Sequence, residues 1–192
     1  MDAEELLKKY ATGERNFPGI RLRGIFLDNA DLREINLSGA DLSGADLCGT
    51  KLNGANLSGA NLSGAVLCGA RLEETNLSGA NLRGVNLGDS RIINANLTKA
   101  NLDGAFFVGE TVVEGSNFDG ASLRGVHLEM IDIVRTTFRD AILDGSVING
   151  DTGLEDLDLT GASCKGSNLV ELGCALGGII ILPDGQQIDV LG

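Results

Sequence analysis

The chain has 192 residues, a formal net charge of −12 and 43% hydrophobic residues. Its length suits one domain, and its apolar content excludes an intrinsically disordered chain. Collagen is excluded as well, because Pro occurs only twice and the 28 Gly do not recur at every third position. A negative surface repels phosphate backbones, so we expect no direct binding of nucleic acid.

A short helix is the first predicted element. Asp2 can accept hydrogen bonds as its N-cap, and Glu5 can reach back in a capping box. Leu6, Leu7 and Tyr10 form an apolar stripe that could close the first turn of the fold. No basic leader precedes an apolar segment, and no apolar run approaches the roughly 20 residues that span a bilayer. We expect a cytoplasmic protein without membrane contact, and a removed leader that Met1 replaced stays the alternative.

From Phe17 onward, an apolar residue recurs at every fifth position. The residue two positions before it is usually small, and the residue two positions after it is often Gly. One extra residue near Gly115 and another near Gly150 each move the phase by one. The repeated positions form runs of twenty, seven and five: Phe17, Leu22, Leu27, Leu32, Leu37, Leu42, Leu47, Leu52, Leu57, Leu62, Leu67, Leu72, Leu77, Leu82, Leu87, Ile92, Leu97, Leu102, Phe107, Val112; Phe118, Leu123, Leu128, Ile133, Phe138, Leu143, Ile148; Leu154, Leu159, Cys164, Leu169, Cys174.

A period of five fits neither an α-helix nor a long strand, so each unit is a short extended piece followed by a turn. Residues two apart in an extended piece point to the same side, which places the small and the central apolar residue inside. A Gly at the corner suits a turn with positive φ. Repeats such as Ala40–Gly44 (ADLSG) and Ala55–Gly59 (ANLSG) resemble the A-(D/N)-L-x-x signature of the pentapeptide-repeat family.

The resemblance covers about residues 15 to 176 and implies an all-β fold, a right-handed quadrilateral parallel β-helix (β-solenoid) with four repeats per coil. The repeats then make about eight coils after a short N-terminal capping α-helix. We expect a capping helix at 1–14, the β-helix at 15–176 and a C-terminal cap or tail at 177–192. In the last segment, Ile179 to Leu182 precede the turn signal Pro183-Asp184-Gly185 and predict either a strand over the last coil or a dimer contact.

Stacked coils place residues 20 apart in one column of the surface. A column of Asn lies beside a column of Ser and Thr, which either stabilise the stack through hydrogen bonds along it or bind an ordered lattice such as ice. A basic column contains Lys51, Arg71 and Arg91. The Asn column and its neighbour are Asn16, Asn36, Asn56, Asn76, Asn96, Asn117 and Ser38, Ser58, Ser78, Thr98.

Outward apolar residues are the candidate interaction surface. Ile93, Val113 and Val134 are predicted to stack in one column, with Phe106 and Val108 on the adjacent face. An exposed apolar patch of this kind marks either an interface or local packing at a corner.

No catalytic constellation is found in the sequence. His127 is the single histidine, in an outward position, and is predicted to be solvated. Cys164 and Cys174 occupy inward positions as small hydrophobic residues, whereas Cys48 and Cys68 are outward neighbours within disulfide range, expected to be free thiols in a reducing compartment. We expect no catalytic residue, no metal site and no cofactor, and therefore no enzyme.

A regular rod with repeated outward columns offers surface but no convergent pocket. The leading hypothesis is a non-catalytic interaction or scaffolding module with an unidentified protein partner and a possible homodimer. The alternative comes from the resemblance, which implies an acidic rod that mimics DNA and binds a type II topoisomerase such as DNA gyrase. The charge of −12 favours the alternative, while the basic column interrupts the acidic surface.

Overall fold

The computed structural model is a parallel β-solenoid that follows a short helix, α1 (Ala3–Ala11). It describes residues 1–149, 152–169, 176–181, 183 and 186–190. Outward residues of successive coils pair in parallel, and one such ladder contains eight residues, from Asn16 to Asp158. The predicted fold class and the count of about eight coils are confirmed.

Four ladders define four sides of the rod, which we call sides A to D. They run from Asn16 to Asp158 on side A, from Arg21 to Ser163 on side B, from Phe26 to Val147 on side C, and from Asp31 to Gly153 on side D.

Among the described residues, regular strands begin at Arg91 and lie on sides C and D. Side C has a three-stranded sheet in the order β2-β4-β6. Side D has a six-stranded sheet in the order β1-β3-β5-β7-β8-β9. The strands of side C are β2 (Phe106–Val108), β4 (His127–Glu129) and β6 (Val147–Asn149). The others are β1 (Arg91–Ile93), β3 (Val112–Glu114), β5 (Asp132–Val134), β7 (Gly153–Glu155), β8 (Leu176–Ile181) and β9 (Gln187–Val190).

Backbone hydrogen bonds explain the five-residue period. The central Leu57 donates its N–H to the carbonyl of Asn76 in the next coil at 2.7 Å, and Asn56 donates to Ile35 in the previous coil at 2.9 Å. A turn closes between Ala60 N–H and the Leu57 carbonyl at 3.0 Å. The corner residue of that turn, Gly59, has φ of +64°, the left-handed conformation that favours glycine. Each repeat therefore bonds to both neighbouring coils and turns by its own short bond.

The core is a continuous apolar column along the rod axis. Its large residues are the central ones of each repeat, and nearly all of them from Phe17 to Leu169 are buried. The helix α1 covers the first coil with Leu6, which is fully buried, and Asp2 caps its N-terminus by accepting from Glu5 N–H at 2.9 Å. Leu7 departs from the prediction, because it lies on the outer face of α1 and is exposed.

The first insertion lies earlier than the sequence pattern predicts. On side C, Asn86 pairs with Phe106, 20 residues on, whereas on side D Arg91 pairs with Val112, 21 residues on. The extra residue therefore lies between Val108 and Val112 rather than near Gly115. Consequently Val113 is the central inward residue, only 1% exposed, and Val112 faces outward. Two adjacent valines satisfy the apolar pattern in either phase, which is why periodicity alone misplaced the step.

The second insertion agrees with the predicted position. Pairing between β4 and β6 has a separation of 20, as in His127↔Val147, and pairing between β5 and β7 has a separation of 21, as in Asp132↔Gly153. The register thus changes between Asn149 and Gly153. Gly150 itself lies outside the described residues.

A hairpin extends side D beyond the last coil. Strand β8 pairs in parallel with β7, and β9 pairs antiparallel with β8. A strand over the last coil is the first of the two predictions made for Ile179 to Leu182. Leu182, Asp184 and Gly185 lie outside the described residues, and so does Cys174. Within the part of the chain that the structure describes, no helix is long and apolar enough to cross a membrane.

Candidate protein-binding face

The five residues predicted to form an interaction surface do not come together. Val113 was predicted to be outward, and this is wrong because the earlier insertion turns it into the core. Ile93 and Val134 lie on side D, where Glu114 stands between them in the ladder. Phe106 and Val108 lie on β2 of side C. Only the last two share a face with further exposed apolar side chains.

An aromatic pair marks the centre of side C. The ring of Phe106, 45% exposed, stacks on the imidazole of His127 in the next coil, with centroids 5.4 Å apart and planes inclined by 16°. Val147 follows His127 in the same ladder and is exposed as well. His127 is solvent-exposed as predicted, but it belongs to a stacked pair. The parallel register of β2, β4 and β6 places the three side chains in one row.

The same row continues to the start of the rod. Phe26 stands at its first position and is 73% exposed, and Val66 stands midway between Phe26 and Phe106. Apolar residues thus recur at every second coil of this row. The row reads Phe26, Asp46, Val66, Asn86, Phe106, His127 and Val147.

All formal charges of side C are negative. Among its described residues there are five acids and neither Lys nor Arg, whereas sides A, B and D carry both signs. Asp46 lies in the row itself, and the other acids lie beside the row or at the corner next to it. The five acids are Asp28, Asp46, Asp89, Glu110 and Glu129 in the ranges 26–29, 46–49, 66–69, 86–89, 106–110, 127–130 and 147–149.

A disulfide lies beside the apolar row. Cys48 and Cys68 are bonded across successive coils, with a Cα–Cα separation of 4.7 Å. The expectation that they are free thiols is wrong in the structure, because parallel pairing holds the two side chains close enough for their sulfur atoms to bond. The next residue of this column is Gly88, where an added Cβ would lie 3.1 Å from the carbonyl oxygen of Val108. Gly88 is buried, and Val108 of the next coil lies over it.

The Asn column of side A is engaged within the stack. Asn36 donates its amide to Asn16 Oδ1 at 3.2 Å, and Asn56 Oδ1 accepts from the N–H of Ser58 at 3.1 Å. These bonds occupy amide oxygens of the column, and the Asn36 bond joins two successive coils, as the stability interpretation predicts.

The predicted basic column is present on side D. Lys51 pairs in the ladder with Arg71, and Arg71 pairs with Arg91. Lys51 lies 3.7 Å from Asp31, and Arg91 lies 3.3 Å from Glu73. Side D is therefore a mixed surface of paired charges.

Comparison with known proteins agrees with this geometry. A model of pentapeptide repeats matches eight copies over residues 16–54 and 50–89. The chain is a pentapeptide-repeat protein. Pentapeptide-repeat proteins fold as right-handed quadrilateral β-helices, and that is the architecture of this rod. No curated protein matches the chain.

Two solved structures of pentapeptide-repeat proteins illustrate the likeness. A trypsin-treated form of QnrB1, a plasmid-mediated fluoroquinolone resistance protein, is 20% identical over 80% of this chain and 82% of its own, with a TM-score of 0.51. HetL, a protein involved in the regulation of heterocyst differentiation in the cyanobacterium Nostoc sp. strain PCC 7120, is 26% identical over 97% of this chain and 99% of its own, with a TM-score of 0.37. The likeness to QnrB1 shows a shared fold.

Proposed function

We propose that this pentapeptide-repeat protein is a non-catalytic protein-binding rod and that side C is its interaction face. The observation that carries the proposal is the exposure of Phe106 in a stacked pair on a sheet, in one row with Phe26, Val66 and Val147. Exposed aromatic residues in a row with a polar surround are typical of interfaces, where they provide most of the binding energy.

The concave features among the described residues include a small interior cavity and open surface grooves, such as one of about 430 Å³ between the start of α1 and Phe26. The interior cavity between Phe107, Phe118 and Phe138 has a volume of about 20 Å³, close to the space of one water, and an entirely apolar lining. Elsewhere in the described ranges, the outward acids and bases alternate in ion pairs such as Arg83 with Asp103 at 3.0 Å. Recognition along an extended face suits this shape better than chemistry at a cleft.

The test is capture of partners by the full chain and by two variants. Phe106→Lys with Val147→Lys changes side C, and Ile142→Lys with Val112→Lys is the matched control, because both control residues are outward and apolar on other sides. A partner retained by the wild type and the control but lost by the side C variant is the expected result. Equal capture by all three proteins would contradict the proposal.

Self-association is the second form that the interface could take. Light scattering of the wild type and of the same two variants distinguishes a homodimer from a heterologous partner. A dimer that dissociates only in the side C variant would make the partner a second copy of the chain.

A type II topoisomerase such as gyrase is the alternative partner. The net charge of −12, together with a side that has five acids and no base, favours a mimic of the DNA phosphate surface. The paired bases of side D do not continue this acidic surface. Inhibition of supercoiling by micromolar protein would support the alternative, and unchanged supercoiling would remove it.

A further inference from the structure

The apolar row of side C has a spacing that matches an α-helix. Adjacent coils are separated by 4.7 Å at Cys48 and Cys68, so apolar residues at every second coil recur at about 9.4 Å. Seven residues of α-helix rise about 10.5 Å and return to nearly the same face. The repeat of a helix parallel to the rod axis is therefore about 1 Å longer than that of the row, and Phe26 to Val147 spans three such intervals.

An extended strand does not match the row. Same-side residues of a strand are about 6.7 Å apart, so its side chains would fall out of register with the apolar residues, which recur at about 9.4 Å with Asp46 and Asn86 among the residues between them. A helix with apolar residues in heptads meets Phe26, Val66 and Phe106 in turn.

Charge decides which helix fits. The five acids of side C have no Lys or Arg on that side to neutralise them among the described residues. A second copy docked face to face would oppose carboxylates with carboxylates, and a phosphate-rich membrane or nucleic acid would be repelled. A partner with basic residues beside its apolar stripe would be attracted to Asp46 in the row and to the acids that follow the row on one flank.

From this spacing and this charge we propose that side C binds a cationic amphipathic α-helix of a partner protein, lying along the rod axis from Phe26 to Val147. The inference deepens the proposed protein-binding function and rests on it. The helix needs about 22 residues to cover three heptad intervals. Apolar side chains of its heptad stripe lie against the row, and its Lys or Arg side chains reach Glu110 and Glu129 on one flank and Asp28 and Asp46 near the start.

Binding to synthetic peptides tests the occupant. The probe is an end-capped peptide of about 22 residues with Leu in a heptad stripe and Lys on both flanks, titrated into the full chain by fluorescence anisotropy, with circular dichroism for induced helicity. We expect saturable binding with a gain of helix. One control peptide is a scrambled sequence of the same composition and the other has an extra residue in each heptad, and we expect both to bind at least tenfold more weakly. Equal binding of the three peptides would show attraction by charge alone and overturn the proposal.

Variants of the protein locate the peptide. Phe106→Ser with Val66→Ser is expected to weaken binding at least tenfold, and Ile142→Ser with Val112→Ser to leave it unchanged. Glu110→Gln with Glu129→Gln is expected to weaken binding several-fold at low salt and to reduce the salt dependence of binding. The control on side D, Glu74→Gln with Glu155→Gln, is expected to change neither the binding nor its salt dependence. Binding that is unaffected by the side C variants would place the peptide elsewhere and refute the inference.

Failure of the helix and failure of the protein-binding function give different results. If native partners are lost with Phe106→Lys and Val147→Lys but the heptad peptide does not bind, side C is an interface for another kind of partner. If capture is also unaffected, both proposals fall.

Discussion

Phe106 and His127 are stacked across adjacent coils, with their ring centroids 5.4 Å apart, although 21 residues separate them in the chain. They meet because the one-residue insertion after Val108 keeps β2 and β4 in register while it lengthens the coil. Aromatic pairs prefer offset or edge contacts that add to the burial of area. The contact between the two rings thus depends on the register of β2 and β4.

Coupling between the two rings can be measured directly. Phe106→Ala and His127→Ala are each expected to lower the free energy of unfolding by about 1 kcal/mol or less, because both rings are exposed. The double variant is expected to show a coupling energy of about 0.5 kcal/mol in urea unfolding. Additive effects would mean that the rings do not remain stacked in solution.

A much larger effect is expected inside the rod. Phe118 is buried and stacks on Phe138, with centroids 5.0 Å apart. Phe118→Ala removes a ring that the surrounding coils cannot replace and is expected to cost about 3–5 kcal/mol in urea unfolding. Leu7→Ala on the exposed face of α1 is the control and is expected to change stability by less than about 0.5 kcal/mol. Similar costs for the two would argue against this core.

The disulfide is expected to stabilise the rod. It closes a loop of 20 residues between successive coils, and constraint of the unfolded chain is worth about 3 kcal/mol for a loop of this size. Reduction should lower the urea midpoint of the wild type but not that of Cys48→Ser with Cys68→Ser. Thiol titration in denaturant should rise by two groups on reduction. Identical midpoints and thiol counts with and without reductant would contradict the disulfide.

Acid should weaken the last coils through Asp158. Burial would raise the pKa of this carboxyl, but hydrogen bonds from Thr160 at 2.6 and 3.0 Å and from Arg139 at 2.5 Å outweigh burial and lower the pKa below its ordinary value. A depressed pKa means that the unfolded chain binds the proton more tightly than the folded chain does. The stabilisation is therefore present above about pH 4 and is lost as pH falls through the folded pKa.

Urea unfolding at several pH values tests this assignment. Asp158→Asn is expected to lower stability by about 1.5 kcal/mol at pH 7 and to approach the wild type below about pH 4. Glu155→Gln, an exposed change on the same coil, serves as the control with no such convergence expected. A constant difference between Asp158→Asn and the wild type at every pH would remove Asp158 as the cause.

Most of the fold follows from the spacing of a few residue types. Leu57 and its equivalents at every fifth position point inward because each repeat makes the same bonds to the coils on either side. The alignment of Phe26, Val66 and Phe106 follows by counting in twenties. Periodicity cannot locate the insertion where two adjacent residues are equally apolar, as at Val112 and Val113. There the position of the insertion depends on which corner can hold an extra residue.

The candidate face was only partly predictable for the same reason. Phe106 and Val108 precede the insertion and were placed correctly, whereas Val113 follows it and was turned to the wrong side. The absence of bases from the described part of side C was available in the sequence once the four columns were separated. The proximity of Cys48 and Cys68 could be predicted from their spacing of 20 residues. Formation of the disulfide also depends on how closely the two sulfur atoms approach in three dimensions.

Strand β9 gives the rod a defined end. It runs antiparallel to β8, and among the described residues β8 and β9 prolong side D but none of the other three sides. A second molecule stacked on this end would meet a reversed edge on side D instead of a matching parallel one. The terminal hairpin thereby opposes growth into filaments, a hazard for any protein built from identical stacked layers.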